Sequence, residues 1–421
     1  MGVGCKPLRI VILGINYQPE FIGVAPYTTG LANALAQNGH NVTVLTGYPH
    51  YPSWKSSVDK PKFRSEEIID GVRVRRFNHP VPRTFSWLGR AVMEFVFGLQ
   101  VTTARWNNAD VVICVTPPLL SAAMAILRVR LTRQRPSVGI VVQDLYSRGI
   151  AETKATSGIL ARVLQGVESV TMRLADGISV INSGFRRDIA ENLNIDRNRI
   201  LEIRNWTHIS SPDSASSAAF RALHGWGDDV IVALHAGNMG YKQGLENVVA
   251  AAKLAASAAP KVKFVLIGNG NQRVALERQA EGVAALEFLD SVDEAEFPTV
   301  LGAADILLVN ERLGVARMSM PSKLTSYFKA GKPVLAAVDP SGYTSEEVAN
   351  AGGGISIPPG RPDLLLAEVM RLANDRGLSV RLGEAGRRYS DEHLSFEMSI
   401  ASYLSWTRSL GEMRSKRAGV A

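Results

Sequence analysis

The sequence predicts an α/β protein made of two doubly wound parallel-sheet domains. Two observations lead to this prediction. Short apolar runs alternate with helical patterns along most of the chain, as expected for parallel strands joined by crossover helices. The alternation stops at the serine-rich residues 210–217 and starts again at Val230. A chain of 421 residues is long enough for two such domains.

The first domain is predicted to span residues 1–207. Its strands are continuous apolar runs, which is typical of strands buried on both faces. The predicted strands are Leu8–Leu13, Asn41–Leu45, Val72–Phe77, Asp110–Cys114, Val138–Val142, Ile178–Ile181 and Ile200–Ile203. Helical patterns lie between them at Thr28–Gln37, Ser86–Arg105, Leu119–Arg133 and Gly158–Leu174.

The second domain is predicted over residues 220–392, after a linker at 208–219. Its predicted strands are Val230–His235, Lys263–Ile267, Leu286–Leu289, Ile306–Val309 and Pro333–Val338. Its predicted helices are Leu245–Ala256, Gln272–Glu281, Glu294–Ala303 and a short helix that begins near Lys323 and ends at Gly331. Residues 393–421 are expected to form a final helix that packs back towards the first domain.

Composition and charge narrow the possible functions. The only cysteines are Cys5 and Cys114, so no disulfide framework is available. No segment approaches the roughly 18 apolar residues of a membrane-spanning helix. Residues 1–207 contain 25 of the 47 basic residues and 15 of the 39 acidic residues. This excess of positive charge indicates an anionic partner, with a solvated basic face as the alternative.

Several enzyme classes lack their sequence motifs here. The turn from Gly14 to Gly23 has no G-x-G-x-x-G pattern, and Gly268–Gly270 supplies only a partial one. No Walker A sequence, H-E-x-x-H motif, zinc-spaced cysteine group or G-x-S-x-G elbow occurs. The sequence therefore argues against nicotinamide-dependent hydride transfer, P-loop chemistry and zinc hydrolysis.

The second half has the features of a pocket for a phosphorylated ligand. Gly237–Gly240 and Gly268–Gly270 follow buried strands, where small residues let the backbone approach a ligand. Lys323 stands in the first turn of a helix, where backbone N–H groups favour an anion. Lys242 and Lys323 would stabilise a leaving diphosphate without a metal. The alternative is that these residues form tight turns and surface charges.

These motifs together resemble the family 4 glycosyltransferases. The donor domain of that family is matched by Gly237–Glu246, Leu266–Gly270 and Met320–Val334. In the first half, its colanic-acid branch is matched by Asn16–Glu20 with Gly23, Leu35–Val44, Pro49–Pro52, Gln143-Asp144, Ala175–Gly177 and Asn205-Trp206. The resemblance implies the GT-B fold, with two Rossmann-like domains facing across a cleft. It also implies a nucleotide-sugar donor, no metal or other cofactor, and transfer with retention.

The resemblance assigns roles to residues of this chain. It makes Asp144, Lys242 and Lys323 the catalytic residues. The donor-binding residues that it implies are Gly23, Gly237, Asn238, Met239, Gly268, Asn269, Gly270, Leu289, Pro321, Ser322, Leu324, Ser326 and Glu347. The acceptor-binding residues that it implies are Tyr27, His50 and Gln143. Asp144 has an alternative role as a cap of the following loop.

The chain departs from the family pattern at three positions. Many members have His in place of Gln143 and Arg in place of Asn238, which leaves more of the positive charge to Lys242. Ser326 stands where a ribose-binding Glu is usual, and its single hydroxyl oxygen can hydrogen-bond a ribose but cannot accept bidentately as the two oxygens of a carboxylate do. Glu346 or Glu347 is the candidate replacement, with a helix-start charge as the alternative for both.

The helical segment 85–97 has aromatic residues beside Arg83 and Arg90, which fits either a membrane interface or a core helix. We predict a cytoplasmic glycosyltransferase, peripheral on the inner face of the membrane, that glycosylates a polysaccharide or lipid-linked precursor. No nucleic-acid partner is expected, and the donor base, the sugar and the oligomeric state stay open. The alternatives are a sugar-nucleotide epimerase of the same fold and a catalytically silent scaffold in envelope polysaccharide assembly.

Overall fold

The computed structural model describes residues 6–20, 23–51, 54–56, 58–59, 61–82, 87–132, 135–146, 158–258, 261–317 and 320–418. The chain forms two compact units. One comprises Met1–Asn205 together with Glu397–Ala421, and the other comprises Trp206–Phe396. Each unit is built on its own sheet, so the predicted two-sheet α/β architecture is confirmed.

The first unit contains an eight-stranded sheet in the order β3-β4-β2-β1-β5-β6-β7-β8. The strands are β1 (Arg9–Leu13), β2 (Asn41–Gly47), β3 (Arg64–Ile69), β4 (Val72–Phe77), β5 (Val111–Thr116), β6 (Ser137–Val142), β7 (Gly177–Val180) and β8 (Ile200–Glu202). The helices are α1 (Ala25–Gln37), α2 (Trp87–Thr103), α3 (Leu119–Leu131), α4 (Gly158–Leu174) and α5 (Ser183–Asn192). All strand pairs are parallel except β3 with β4.

The antiparallel strand β3 is missing from the sequence prediction. Its residues are mostly polar and exposed, so the strand lacks the apolar run that marks the buried strands. The turn at Asp70-Gly71 has positive φ at both positions, 50° and 80°, which is the geometry of a tight two-residue hairpin. That Asp-Gly pair, before the apolar start of β4, is the signal that could have found β3.

The second unit contains a six-stranded sheet in the order β11-β10-β9-β12-β13-β14, with parallel pairing throughout. The strands are β9 (Ile231–Ala236), β10 (Val262–Ile267), β11 (Leu286–Leu289), β12 (Ile306–Asn310), β13 (Val334–Ala337) and β14 (Gly354–Ile357). The helices are α6 (Ser214–Leu223), α7 (Glu246–Ala258), α8 (Arg273–Gln279), α9 (Phe297–Ala303), α10 (Lys323–Ala330), α11 (Tyr343–Ala351), α12 (Pro362–Asn374) and α13 (Arg376–His393).

The linker expected at 208–219 contains the start of helix α6. Asp213 caps this helix, accepting a hydrogen bond from the Ser216 backbone N–H at 2.7 Å. Ser217 is buried and donates to the Thr299 carbonyl, while Phe220 packs in the core of the second unit. Asp and Ser at a helix start resemble linker composition, which explains why the sequence pattern concealed this helix.

The last helix, α14 (Phe396–Ala418), lies mainly in the first unit. Its Trp406 and Leu410 side chains cover the glycine positions of two neighbouring strands, Gly139 and Gly177. Further along, Arg414 pairs with Asp110 at 2.5 Å and Arg417 pairs with Asp176 at 2.6 Å. Asp110 directly precedes β5 and Asp176 directly precedes β7, so this end of the chain is tied to the sheet by both packing and charge.

We predict that Gly139→Ala lowers the melting temperature, because an added Cβ would lie 2.5 Å from the Trp406 ring. Overpacking of this kind costs roughly 1–3 kcal/mol. The matched control is Gly166→Ala in α4, where no atom lies within 4 Å of the added Cβ and alanine favours the helix. Thermal denaturation compares the two variants. Equal melting temperatures would contradict the described packing of α14.

Candidate functional site

Two glycine turns meet at the carboxyl edge of the second sheet. The Gly237 N–H donates to the Ile267 carbonyl, and the Met239 N–H donates to the Asn269 carbonyl, both at 2.8 Å. Gly237 and Gly268 have φ values of 126° and 130°, which strongly favour glycine. The two turns therefore form one rigid double loop beside the ends of β9 and β10.

Gly268 and Gly270 were expected to be glycines because a ligand approaches the backbone there. The structure shows a different steric reason. A Cβ on Gly268 would lie 2.1 Å from the Gly237 carbonyl oxygen, and a Cβ on Gly270 would lie 2.4 Å from the Met239 carbonyl oxygen. The requirement for glycine there comes from the contact between the two turns. Gly237 differs, because its absent Cβ would face the Lys323 ammonium at 3.6 Å. Gly237 is thus the glycine that keeps space open at the cation.

Lys323 begins helix α10 and reaches back to the end of β9. Its Nζ lies 3.2 Å from Nε2 and 3.4 Å from Nδ1 of His235, which is fully buried. Burial lowers the pKa of the Lys323 ammonium to about 7, and the Glu311 carboxylate opposes that shift. Burial, followed by the charge of Lys323, holds the pKa of His235 well below its usual value. The imidazole is therefore neutral and cannot balance the charge of the lysine.

The surroundings of Lys323 favour an anion. The ends of β9, β12 and β13 lie at the same edge of a parallel sheet, and α10 presents its N-terminus there after Pro321 and Ser322. Glu311, the nearby carboxylate, accepts a hydrogen bond from the Thr344 hydroxyl at 2.6 Å. A ligand phosphate beside Lys323 would supply the counter-charge that the neutral His235 does not.

Lys242 is exposed on the short turn Tyr241–Gln243, close to the start of α7. Its carbonyl accepts a hydrogen bond from the Arg312 N–H at 2.8 Å. The Arg312 guanidinium stacks on the Tyr241 ring at 3.8 Å and pairs with Glu246 at 3.1 Å. Arg312 thus adds a second cation next to Lys242. Its position just after a buried strand is the signal that could have found it.

The other expected donor-binding residues differ in accessibility. Asn238 and Asn269 are exposed, whereas Met239, Leu324 and Ser326 are buried, Ser326 to 2% exposure. Leu289 ends β11, and its carbonyl accepts the Gly268 N–H at 3.1 Å. Ser326 therefore faces the interior of the unit in this structure.

The two candidate replacements for a ribose-binding carboxylate lie in α11. Glu347 is buried and accepts a hydrogen bond from the Tyr389 hydroxyl at 3.2 Å. Glu346 is half-buried in the first turn of the same helix. Of the two, Glu346 is the more accessible carboxylate at the helix N-terminus.

In the first unit, buried Glu20 joins the loops that follow β1 and β2. One of its carboxylate oxygens accepts the backbone N–H groups of His50 and Tyr51, both at 2.7 Å. The other accepts from the Asn16 amide at 2.8 Å. Gly23 has a φ of 69°, and an added Cβ would lie 3.1 Å from the Tyr51 ring. In the sequence, Glu20 is noted only as part of the motif Asn16–Glu20. In the structure it holds the loops after β1 and β2 together.

The expected acceptor residues lie around the same edge. Gln143 and Asn205 exchange two amide hydrogen bonds, of 3.1 Å and 2.7 Å, so the Gln143 side chain holds the end of the first unit's chain. Asp144 is half-buried, and its charge contributes to the raised pKa of Tyr51, after burial itself. Tyr27 is buried on α1. The structure therefore brings Asp144 close to the loop that contains His50 and Tyr51.

A buried polar cluster beside Asp144 was missed from the sequence. The Arg90 guanidinium donates to the Tyr146 hydroxyl at 3.1 Å and pairs with Glu94 at 3.3 Å. The Tyr146 hydroxyl also donates to Glu94, and the Tyr146 N–H donates to Glu168 at 2.8 Å. Glu94 is the only acidic residue of α2, and a lone carboxylate in an apolar helix is the signal that could have found the cluster.

The membrane-interface interpretation of segment 85–97 expected Arg90 to point towards lipid headgroups. In the structure Arg90 instead points into the protein. Arg83, the other basic residue of that reading, lies outside the described residues. No helix in the described part of the chain is long and apolar enough to cross a membrane. Within the same residues, no group of three or more His, Cys, Asp or Glu side chains has an arrangement that could hold a metal ion.

Comparison with known proteins shows the family. Residues 23–206 match the glycosyl transferase 4-like domain, and residues 216–389 match the glycosyl transferases group 1 domain. Over 337 residues the chain is 28% identical to the putative colanic acid biosynthesis glycosyl transferase WcaI of Escherichia coli (strain K12), an overlap of 77% of this chain and 82% of that relative.

Two solved structures share the fold. Sucrose-phosphate synthase from Thermosynechococcus elongatus superposes with a TM-score of 0.74 at 16% identity, covering 95% of this chain and 98% of that one. Anabaena HepE in complex with UDP superposes with a TM-score of 0.71 at 14% identity, covering 96% and 100%. The chain belongs to the GT-B glycosyltransferases that combine a glycosyl transferase 4-like domain with a group 1 domain.

Proposed function

We propose that this glycosyltransferase moves a sugar from a nucleoside-diphosphate sugar to a polysaccharide or lipid-linked glycan precursor, with retention and without a metal. The observation that carries the proposal is the Lys323 ammonium. It is half-buried at a helix N-terminus, beside a neutral imidazole and next to Gly237, which has no side chain. A cation in that position is what a departing diphosphate needs.

In this proposal, each part of the donor is bound by residues of the second unit. Lys323 and the N-terminus of α10 would hold the diphosphate, with Lys242 and Arg312 adding charge from the turn after β9 and the end of β12. The double glycine turn would face the nucleotide. The UDP bound by the structural neighbour HepE makes UDP the first nucleotide to test.

The first unit would bind the acceptor. Asp144, with Tyr27, His50 and Gln143, would orient the acceptor hydroxyl. That hydroxyl would attack the sugar from the side on which the diphosphate departs, and its proton would pass to the leaving phosphate oxygen. The sugar–phosphate bond breaks as the new glycosidic bond forms, so the configuration is kept.

The proposed chemistry of the acceptor rests on two observations, the net positive charge of residues 1–207 and the similarity to a relative named for colanic acid biosynthesis. Both favour an anionic or lipid-linked glycan precursor. As part of the same proposal, the reaction takes place in the cytoplasm at the inner face of the membrane.

We predict that Lys323→Ala lowers turnover by at least about a hundredfold, because one preorganised charge is lost where negative charge develops. The matched control is Lys253→Ala, which removes an exposed lysine of the same unit on α7. Release of nucleoside diphosphate from UDP-glucose and other nucleotide sugars measures turnover. Unchanged turnover in Lys323→Ala would remove the central assignment, and a wild-type protein that neither binds nor turns over any nucleotide sugar would favour a scaffold.

The charged form of Lys323 should also reduce the free energy of unfolding of the protein. Its pKa of about 7 lies below the ordinary value of 10.5, so the unfolded chain binds more protons between these values and stability rises with pH across that window. We predict that Lys323→Met raises the melting temperature at about pH 6, by an amount corresponding to roughly 1–3 kcal/mol, and has a smaller effect at about pH 9. The exposed control, Lys242→Met, should change neither value. Destabilisation by Lys323→Met at both pH values would contradict this prediction, because it would show that other groups of the protein fully balance the charge of the Lys323 ammonium.

Stability is predicted to rise with pH, whereas the affinity for the donor should fall with pH. Lys323 is largely charged at about pH 6 and largely neutral at about pH 8, so UDP-glucose should bind more weakly as pH rises, by up to about tenfold per unit. Binding at about pH 8 should take up a proton, which isothermal titration calorimetry in two buffers of different ionisation enthalpy measures. Lys323→Arg, which stays charged, is the control and should bind without this pH dependence. A wild-type affinity independent of pH would contradict the assigned contact.

A further inference from the structure

Helices α2, α3 and α4 form one layer on the first sheet. They connect β4 to β5, β5 to β6 and β6 to β7, and each connection advances in the same direction along the sheet. Right-handed crossovers in one direction place their helices on the same face. Helix α2 packs against α3, and α3 packs against α4. The three helices therefore present a continuous outer surface, here called the three-helix face.

The outer side of α2 is apolar. The side chains that point away from the sheet recur at helical spacing and are Leu88, Val92, Phe95 and Leu99, which are 77%, 45%, 54% and 49% exposed. The inner side of the same helix is buried and contains Met93, Phe97 and Val101. A helix that is apolar on both sides is normally covered on both sides. Nothing within the described part of the first unit covers the outer side of α2.

The stripe continues on the neighbouring helices. Exposed apolar side chains occur one turn apart at the end of α3 and along the length of α4, and they are Leu127, Leu131, Ile159, Val163, Val170 and Leu174. Single exposed apolar residues are ordinary, but aligned stripes on adjacent helices indicate an interaction surface.

The charge of the three-helix face has one sign. Its only acidic residues, Glu94 and Glu168, are buried, at 2% and 1% exposure. Of the arginines of α3 and α4, Arg162 and Arg173 are exposed, whereas Arg128 and Arg130 are half-buried and Arg130 pairs with Asp176 at 3.0 Å. Several of them donate to carbonyl groups at helix ends, for example Arg173 to the Leu193 carbonyl. The exposed surface of these three helices thus combines apolar side chains with positive charge and has no exposed carboxylate. On α5, which follows in the same layer, Glu191 is exposed and pairs with Arg197 at 2.9 Å.

We propose that the three-helix face docks on an anionic lipid bilayer, with the helices lying in the interface. This inference deepens the membrane location in the proposed function by naming the surface and the lipid charge. Apolar side chains enter the boundary of the acyl chains while arginines pair with anionic headgroups. A glycan or a protein of mixed charge would not require a surface that lacks carboxylates.

The docked surface would lie beside the proposed acceptor residues. The Arg90 side chain joins the first turns of α2 to Tyr146, two residues after Asp144. The N-terminal ends of α2 and α4 therefore lie at the same edge of the sheet as Asp144. A lipid-linked acceptor in the bilayer would reach that edge without leaving the membrane surface.

Vesicle binding tests the proposal with the full-length protein. The probes are vesicles of phosphatidylcholine alone and of phosphatidylcholine mixed with phosphatidylglycerol, measured by co-sedimentation. The wild type should bind the mixed vesicles more tightly than the neutral ones. Phe95→Glu with Leu99→Glu should weaken binding to mixed vesicles by at least about tenfold. The two substitutions remove apolar side chains that would enter the bilayer, and they add two negative charges that anionic headgroups repel.

The matched control adds the same two charges elsewhere. Ile68→Glu with Leu223→Glu replaces exposed apolar residues of β3 and α6, so it should bind vesicles nearly as the wild type does. Equal loss in both double variants would show that net charge alone is responsible and would overturn the proposal. So would a wild type that binds neither vesicle, or a wild-type dimer that only Phe95→Glu with Leu99→Glu converts to a monomer.

Nucleotide binding is the independent readout. Both double variants should keep the thermal shift produced by UDP, because neither changes the second unit's site. Loss of vesicle binding with normal nucleotide binding supports the docking surface, whereas loss of both in one variant indicates misfolding of that variant. Conversely, Lys323→Ala should lose nucleotide binding and keep vesicle binding, so failure of the donor assignment and failure of the docking surface are distinguishable.

Discussion

The contact between Lys323 and His235 is the constraint on which the second unit's site depends. A lysine ammonium is placed at the carboxyl edge of a parallel sheet, beside a buried imidazole that burial keeps neutral. The charge is therefore only partly balanced within the protein, by Glu311. The N-terminus of α10 and the open space at Gly237 then make a ligand anion the natural complement. The incomplete charge compensation that costs the fold stability is the same property that would serve the proposed reaction.

The surrounding residues hold that arrangement rigid. The two glycine turns contact each other through backbone hydrogen bonds, and the Tyr327 hydroxyl accepts the Ala236 N–H at 2.8 Å just before the first turn. In the first unit, Glu20 performs a comparable task by accepting two backbone N–H groups from the loop after β2. Each unit thus uses buried polar groups to fix the loops at its strand ends, which is where α/β sheets bind ligands.

The sequence predicted the architecture well because buried parallel strands leave a strong apolar signal. It failed for β3, whose residues are polar and exposed, for the short strand β14, and for α6, whose capping residues resemble a linker. The sequence singled out Lys323, since a lysine at a helix start beside glycine turns has local chemical meaning, and the structure places its ammonium next to Gly237; its catalytic role stays a prediction. It missed Arg312 and the Arg90–Glu94–Tyr146 cluster, since these depend on contacts between elements far apart in sequence.

The sequence by itself determined the fold class and the family-level motifs, because both are written in local patterns of apolar, glycine and basic residues. Only the tertiary structure decided which glycine faces the Lys323 ammonium and that Ser326 is buried. It also decided that Arg90 points inward while the apolar side of α2 points outward. The physical reason is that burial and charge compensation arise from neighbours supplied by several elements at once, which no single segment of the chain specifies.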